Sequence, residues 1–263
     1  MVPMKMLPFD NKDELQLVIT MPEGTTLEST DAAVRDFEYY LSSVPEVINF
    51  VTYTGTYSPI DFNGLVRHYY FREAANVAEV RINFLGKEMR DQQSHEIALR
   101  IRKDLEGIAS KNRARLAIVE TPPGPPVIST VAAEVYGAMH TPYSSMIAAG
   151  RYLTYVMNGE KGVVDIDISA EDRHQRLDFI LDKEKAALHG IDTDTVVKTL
   201  HINLEGIESS TVHSGKERTP LPVVIQCSRE KRSGREELGR IIVKGSSGES
   251  VPLDEIGAFV LKD

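Results

Sequence analysis

The chain has 263 residues, 41% hydrophobic and 26% charged, a composition that suits folded protein and a length that suits two or three small domains better than one. Its formal charge of -9 argues against nucleic acid or an anionic membrane surface as a partner, since both would repel it. The single cysteine, Cys227, excludes an internal disulfide and fits poorly with a thiolate metal site, and no stretch reaches the roughly 18–20 apolar residues that span a bilayer.

The opening Met1-Val2-Pro3-Met4-Lys5-Met6-Leu7-Pro8-Phe9 lacks the apolar core of a signal peptide. It reads as a segment leaving something apolar, a cut edge, so residues 1–11 are set aside as a linker. Leu15 to Met21 is then apolar and β-prone, and Pro22-Glu23-Gly24 ends it with turn chemistry. Thr25 or Thr26 caps a helix with Val34, Phe37, Leu41 and Val44 on one face, and Pro45 stops that pattern. Val47 to Thr54 forms a second strand, a long aromatic loop follows, and Ala78 to Leu85 alternates as a third strand. Ser94 caps a helix with the face Ile97, Ile101, Leu105 and Ile108, and Arg113 to Glu120 closes the unit. This β-α-β-β-α-β order is the split βαβ, ferredoxin-like plan of an α+β domain over residues 12–121.

Pro122-Pro123-Gly124-Pro125-Pro126 is a stiff, extended connector. Behind it the rhythm restarts: Val131 to Tyr136 as a strand, a helix from Thr141-Pro142 carrying Met146, Ile147, Leu153 and Val156, and Val163 to Ser169 as another strand. The helix and strands that should complete a second unit do not follow. Instead, Leu177 to Leu181 is a strand, Asp182 opens a short helix that Gly190 stops, and Asp192 caps the next, faced by Val196, Val197, Leu200 and Leu204. Ser209–Val212 with Val223–Cys227, and Ile241–Lys244 with Ser250–Leu253, read as hairpins around the tips His213–Arg218 and Gly245–Gly248. Glu255 to Val260 begins one more strand, which suggests a truncated domain. Such a half-built sheet would leave an edge open to pairing with another copy.

The loop Thr52 to Phe71 concentrates Tyr53, Tyr57, Phe62, Tyr69, Tyr70 and Phe71, with Asp61, Arg67 and His68 between them. Six aromatics in this span, out of 10 tyrosines and 8 phenylalanines, is enrichment. Large apolar faces with polar tips suit small amphiphilic ligands. The alternative is a loop folded on its own aromatics.

Met4 to Asn11 resembles the exit from a membrane helix in resistance-nodulation-division (RND) efflux pumps of the acriflavine-resistance, AcrB-like type. Met21-Pro22-Glu23-Gly24-Thr25 is similar to their Pro-x-Gly-Thr turn. Asp182-Lys183-Glu184-Lys185-Ala186-Ala187-Leu188-His189-Gly190-Ile191 resembles the Asp-x-x-Lys-Ala-x-x-x-Gly-[Ile/Val] signature that opens the family's docking domain. Val251-Pro252-Leu253 matches the end of that insertion. The matches are collinear over essentially the whole chain, in the order of the family's second large periplasmic loop.

The resemblance implies an α+β chain: a ferredoxin-like porter subdomain (12–124), half of a second, truncated one (127–174), an inserted docking-type α+β subdomain (175–255) and the start of a return strand (256–263). It implies a bacterial inner-membrane parent with this segment in the periplasm. The parent would be a proton-driven homotrimer working with a periplasmic adaptor protein and an outer-membrane channel, and exporting small amphiphilic substrates. This chain would line part of the substrate cleft and of the docking surface, and would carry no chemistry of its own. The substrate loop would then use Tyr53, Tyr57, Phe62, Arg67, Tyr69 and Phe71. Aligned on Gly55, the aromatic positions of multidrug members fall on Val51, Thr56 and Ser58, and near Arg81, so this pocket is more polar. Ala117 and Val119 stand where similar pumps carry aromatics at the base of the cleft. Gly-rich or charged tips at Gly245–Glu249 and His213–Arg218 are candidates for contacts with neighbours. The alternative is a stand-alone periplasmic binding or assembly module of ferredoxin-like repeats.

One branch of the family exports copper and silver, and thioethers suit Cu(I). Met139-His140 is the one adjacent soft pair, however, and the 8 methionines read better as flexible core fillers. Glu171-Asp172-Arg173-His174 reads as a charged turn, and Asp165 and Asp167 as solvent-facing positions on one strand. There is no Gly-x-Ser-x-Gly, no Gly-x-x-x-x-Gly-Lys loop, and no ligand spacing among the 7 histidines. No catalytic residue, metal ligand or cofactor is assigned, and no nucleic-acid partner is expected.

Overall fold

A computed structural model describes residues 10–121, 129, 131–170, 172–213, 215 and 219–262. The expected linker before residue 10, the connector Pro122–Pro126, Glu171 and most of the His213–Arg218 tip lie outside the described residues. The chain divides into two compact units, Met1–Arg173 and His174–Asp263. Among the described residues no helix is long and apolar enough to cross a membrane.

The first unit is built on β1 (Glu14–Thr20), α1 (Leu27–Leu41), β2 (Val47–Thr54), α2 (Phe62–Val66), β3 (Val77–Phe84), α3 (Ser94–Lys111) and β4 (Arg115–Val119). The strands form one antiparallel sheet in the order β2-β3-β1-β4, so each β-α-β step skips over a neighbour, the split βαβ connectivity. Alternation decides which face is which. Leu15, Leu17 and Ile19, with Ala78, Val80 and Ile82, meet Val34, Phe37 and Leu41 of α1 and Ile97, Ile101 and Leu105 of α3 in one core. Each fully buried Leu, Ile or Phe there contributes about 1.5–3 kcal/mol.

Local signals set the helix ends. Thr26 caps α1, its side chain accepting from the Ser29 N–H. At α3 the cap is Gln93 rather than the expected Ser94, and the Gln93 N–H donates to Glu96 Oε2 at 2.8 Å. Ser94 is left free to tie down the approach to β1: its hydroxyl donates to the Asp10 carbonyl and accepts from the Lys12 N–H.

Residues 131–170 hold one regular element, α4 (Tyr143–Asn158), with no fully buried residue. The strands expected at Val131–Tyr136 and Val163–Ser169 do not form. A strand exists only where a ladder accepts its N–H and C=O groups, and neither segment is paired in a ladder among the described residues. The anticipated open sheet edge is therefore absent there.

In the second unit β5 (Arg176–Leu181) leads to α5 (Lys183–Leu188) and α6 (Thr193–Leu204), capped by Asp182 and Asp192. The exposed hairpin β6 (Ile207–Val212)/β7 (Leu221–Ile225), the short α7 (Arg235–Gly239), β8 (Ile242–Lys244)/β9 (Ser250–Pro252) and α8 (Leu253–Ile256) follow. The last strand, β10 (Gly257–Lys262), pairs antiparallel with β5 along its length, with Phe259 opposite Phe179. Ile191, Val196, Leu238, Val243, Leu253 and Ile256 share this unit's core.

Candidate functional site

The first sheet has a second face, and the register builds it. Val51 of β2, Arg81 of β3, Gln16 of β1 and Val119 of β4 form one cross-strand row. Tyr53, Glu79, Val18 and Ala117 form the next. Tyr53, Arg81, Ala117 and Val119, picked out separately in the sequence, thus share the face turned away from the helices.

The chain between Gly55 and Asn76 folds over this face. Gly55 starts it at φ +79, where an added Cβ would lie 2.6 Å from Leu27 Cδ1. The loop is not irregular throughout: Asp61 caps α2 through the Gly64 N–H (2.6 Å), and Tyr69–Phe71 form a 3-10 turn. Two arginines then clasp loop to sheet in opposite senses. Arg81, on the sheet, donates to Ser58 Oγ (2.9 Å) and Asp61 Oδ2 (2.7 Å) in the loop. Arg72, in the loop, donates to the Ile19 carbonyl (2.8 Å) and Thr20 Oγ1 (3.1 Å), and its Nε lies 3.5 Å from Glu79 Oε1.

Glu79 is 1% exposed. Its Oε2 accepts from Gln16 Nε2 (2.9 Å) and from the Ser58 N–H (3.0 Å). Oε1 has only the charge of Arg72 opposite it, and Gln16 Oε1 and Arg72 Nε are likewise buried without a hydrogen-bond partner. The node is held by charge more than by bond geometry. Burial pulls the Arg72 guanidinium below its usual value, and Glu79 opposes that pull. Burial pushes Asp61 up, but the Arg81 hydrogen bond, the Gly64 N–H and the Arg81 charge outweigh it, leaving this carboxyl below its usual range.

The aromatics divide into two sets. Tyr53, Tyr57, Tyr69 and Tyr70 are half-buried, and Tyr70 packs on Phe71 with ring centres 4.4 Å apart while His68 meets both edge-on. Phe62 and Phe71 are 65% and 74% exposed, in a loop that also exposes Ile60 and Leu65. Arg67 donates its Nε–H to Asn63 Oδ1 at 3.0 Å. The arrangement can offer apolar surface and guanidinium charge. Its carboxylates Asp61 and Glu79 are already spoken for by arginines.

Among the described residues no group of three His, Cys, Asp or Glu side chains is placed to hold a metal ion. Met21 is buried, while Met89 and Met139 are exposed. Of the two carboxylates expected to face solvent, Asp167 does, 3.3 Å from Arg115, whereas Asp165 is shielded and takes a bidentate bond from Arg102. Sequence reading also missed Gln16, Arg72 and Glu79. A lone Glu in the strand Ala78-Glu79-Val80 alternates as a solvated residue would, and only the loop above it makes it buried. The Gly245–Glu249 tip is packed at its base, where Ser246 lies directly against Gly190 and Glu249 meets His189 at 3.2 Å.

A sequence profile of the AcrB/AcrD/AcrF family matches residues 1–260. No curated protein sequence matches the chain. Two crystal forms of a heavy metal efflux pump share its fold. Form I superposes with a TM-score of 0.72 at 17% identity, covering 98% of this chain and 26% of that one. Form II gives 0.70 at 16% identity, covering 97% and 25%. The chain thus spans about a quarter of the length of the solved structures it matches.

Proposed function

The chain belongs to the AcrB/AcrD/AcrF family of RND efflux transporters, and on that footing we propose that it supplies one wall of the substrate cleft of a proton-driven periplasmic export machine. The observation that carries this reading is the clasped, aromatic-bearing excursion on the open face of a split βαβ sheet. A sheet face needs no second arginine-pinned layer for its own core, which lies on the other side. Pinning the layer at both ends holds Phe62 and Phe71 out into solvent. The wall comprises Tyr53, Tyr57, Phe62, Arg67, Tyr69, Phe71 and Arg81, and the cargo is a small amphiphile whose apolar body lies on the phenylalanines.

The second unit is the docking-type insertion, residues 175–255. Entry and exit through the paired strands β5 and β10 support this, because an insertion must begin and end at neighbouring points. In the full assembly the parent is an inner-membrane homotrimer, this chain is periplasmic, and an adaptor protein and outer-membrane channel complete the path. The chain performs no covalent chemistry. Fluorescence titration of the 263-residue chain with an amphiphilic dye tests the cleft assignment. Saturable binding that excess non-fluorescent amphiphile displaces is the expected result, and a linear, non-displaceable signal would overturn it.

A further inference from the structure

Residues 163–168 run beside the outer edge of β4 without forming a ladder, and one side chain does most of the joining. Asp165 sits at φ +54, a left-handed conformation that Asp tolerates better than most residues. Its Oδ1 and Oδ2 receive Arg102 of α3 at 2.5 and 3.0 Å, and Oδ2 also accepts the Ile118 N–H of β4 at 3.2 Å. The pair is largely shielded, with side chains 18% and 20% exposed. Two residues on, Asp167 meets Arg115 of β4. Arg102 belongs to the helical layer, whereas Arg115 shares its side of the sheet with Val18-facing Ala117, so the two carboxylates straddle the β4 edge. Ile168 closes the chain of contacts: a Cβ on Gly150 of α4 would lie 2.9 Å from its Cδ1.

We propose that Asp165 and Arg102 are positioning residues, a side-chain latch that pins the segment following α4 to the edge of the first sheet and, through Ile168 against Gly150, holds α4 to it. A backbone ladder would spread the attachment over several hydrogen bonds, each of modest strength. Here it is concentrated in one charge-assisted fork plus one edge N–H, so a single substitution releases it. The same carboxylate occupies an N–H that an edge strand otherwise offers to foreign chains.

Amide hydrogen exchange by NMR on the full chain tests it with no ligand present, so the result does not depend on what the face binds. In Asp165→Ala, the Ile118 amide and the amides of α4 should exchange roughly tenfold faster or more, as expected for loss of hydrogen bonds to a charged group. Ala117 and Val119, whose amides alternate away from Ile118 toward β1, should keep their protection. Arg102→Gln breaks the fork from the other side and should reproduce the pattern. Arg102→Lys, with a charge but no fork, should restore it only in part. The proposal is overturned if Ile118 and α4 exchange as in the parent chain. It is equally overturned if Ala117 and Val119 speed up with them, since that pattern reports loss of the whole sheet.

Discussion

Arg72 Nε stands 3.5 Å from Oε1 of Glu79, so a guanidinium carried by the loop faces a carboxylate that the sheet has buried to 1% exposure. The contact joins the covering loop to the most regular part of the fold. Removing Arg72 strands the Glu79 charge where water does not reach, and removing Glu79 leaves a mostly buried guanidinium without its counter-charge.

Glu79→Ala should therefore cost about 3–5 kcal/mol of stability, the usual penalty for orphaning a buried charge. Glu79→Gln should cost less, because an amide oxygen still accepts from Ser58. A double replacement, Glu79→Met with Arg72→Met, should cost less than the sum of its single changes. Urea unfolding of the four proteins checks this, and additive losses would show that the two side chains act independently.

The pH response of the first unit follows in part from Asp61, in the clasp, and from Glu46, which pairs with Arg100 of α3. Asp61 is held below its usual value against burial by Arg81, and Glu46 is lowered by the Arg100 hydrogen bond. A carboxyl depressed in the folded state contributes stability above its unfolded value, about 4, and loses it as pH falls through the lower folded value. Stability should stay level from neutral pH to near 5 and then fall. In Arg81→Met the part due to Asp61 should vanish, which acid-unfolding curves of the two proteins can show.

Gly55→Ala should destabilise the first unit by about 1–3 kcal/mol. The added Cβ meets Leu27 Cδ1, and φ +79 is unfavourable for any residue with a Cβ. Gly24, also at positive φ but with nothing within 4 Å, should tolerate Ala better, at a cost of about 1 kcal/mol. Thermal melts of both variants separate steric from torsional cost.

Phe62→Ala and Phe71→Ala should each leave stability within about 0.5 kcal/mol, as for other exposed side chains. Both should weaken amphiphile binding, by roughly three- to tenfold each if a ring face is lost from the contact. Unchanged affinity in the double variant would remove these residues from the cleft wall.

Much of the fold was legible because its signals are local. The face Val34, Phe37, Leu41 repeats at helical spacing, Asp182 and Asp192 sit at helix starts, and β2 has the expected bounds, Val47–Thr54. Misreadings came where a residue's state depends on a partner far along the chain. Val131–Tyr136 has the composition of a strand, yet backbone pairing is a property of two segments and no second one is supplied. Asp165 alternates as a solvated carboxylate does, and Arg102 cannot be seen from its neighbourhood. The aromatic loop stands out in the sequence, but its division into half-buried tyrosines and displayed phenylalanines is decided by the tertiary fold.

The amino-acid order by itself determined the β-α-β-β-α-β sequence of the first unit, the caps Thr26, Asp182 and Asp192, and the α1 and α3 faces that enter the core, because hydrophobic periodicity and capping act within a few residues. Tertiary structure alone decided that Gln16 and Glu79 lie buried beneath a loop, and that arginines tie that loop down from both sides. It also decided that Asp165 meets Arg102 and the Ile118 N–H at a sheet edge. These are electrostatic and desolvation effects between groups 7 to 63 residues apart, and their sign depends on what covers them.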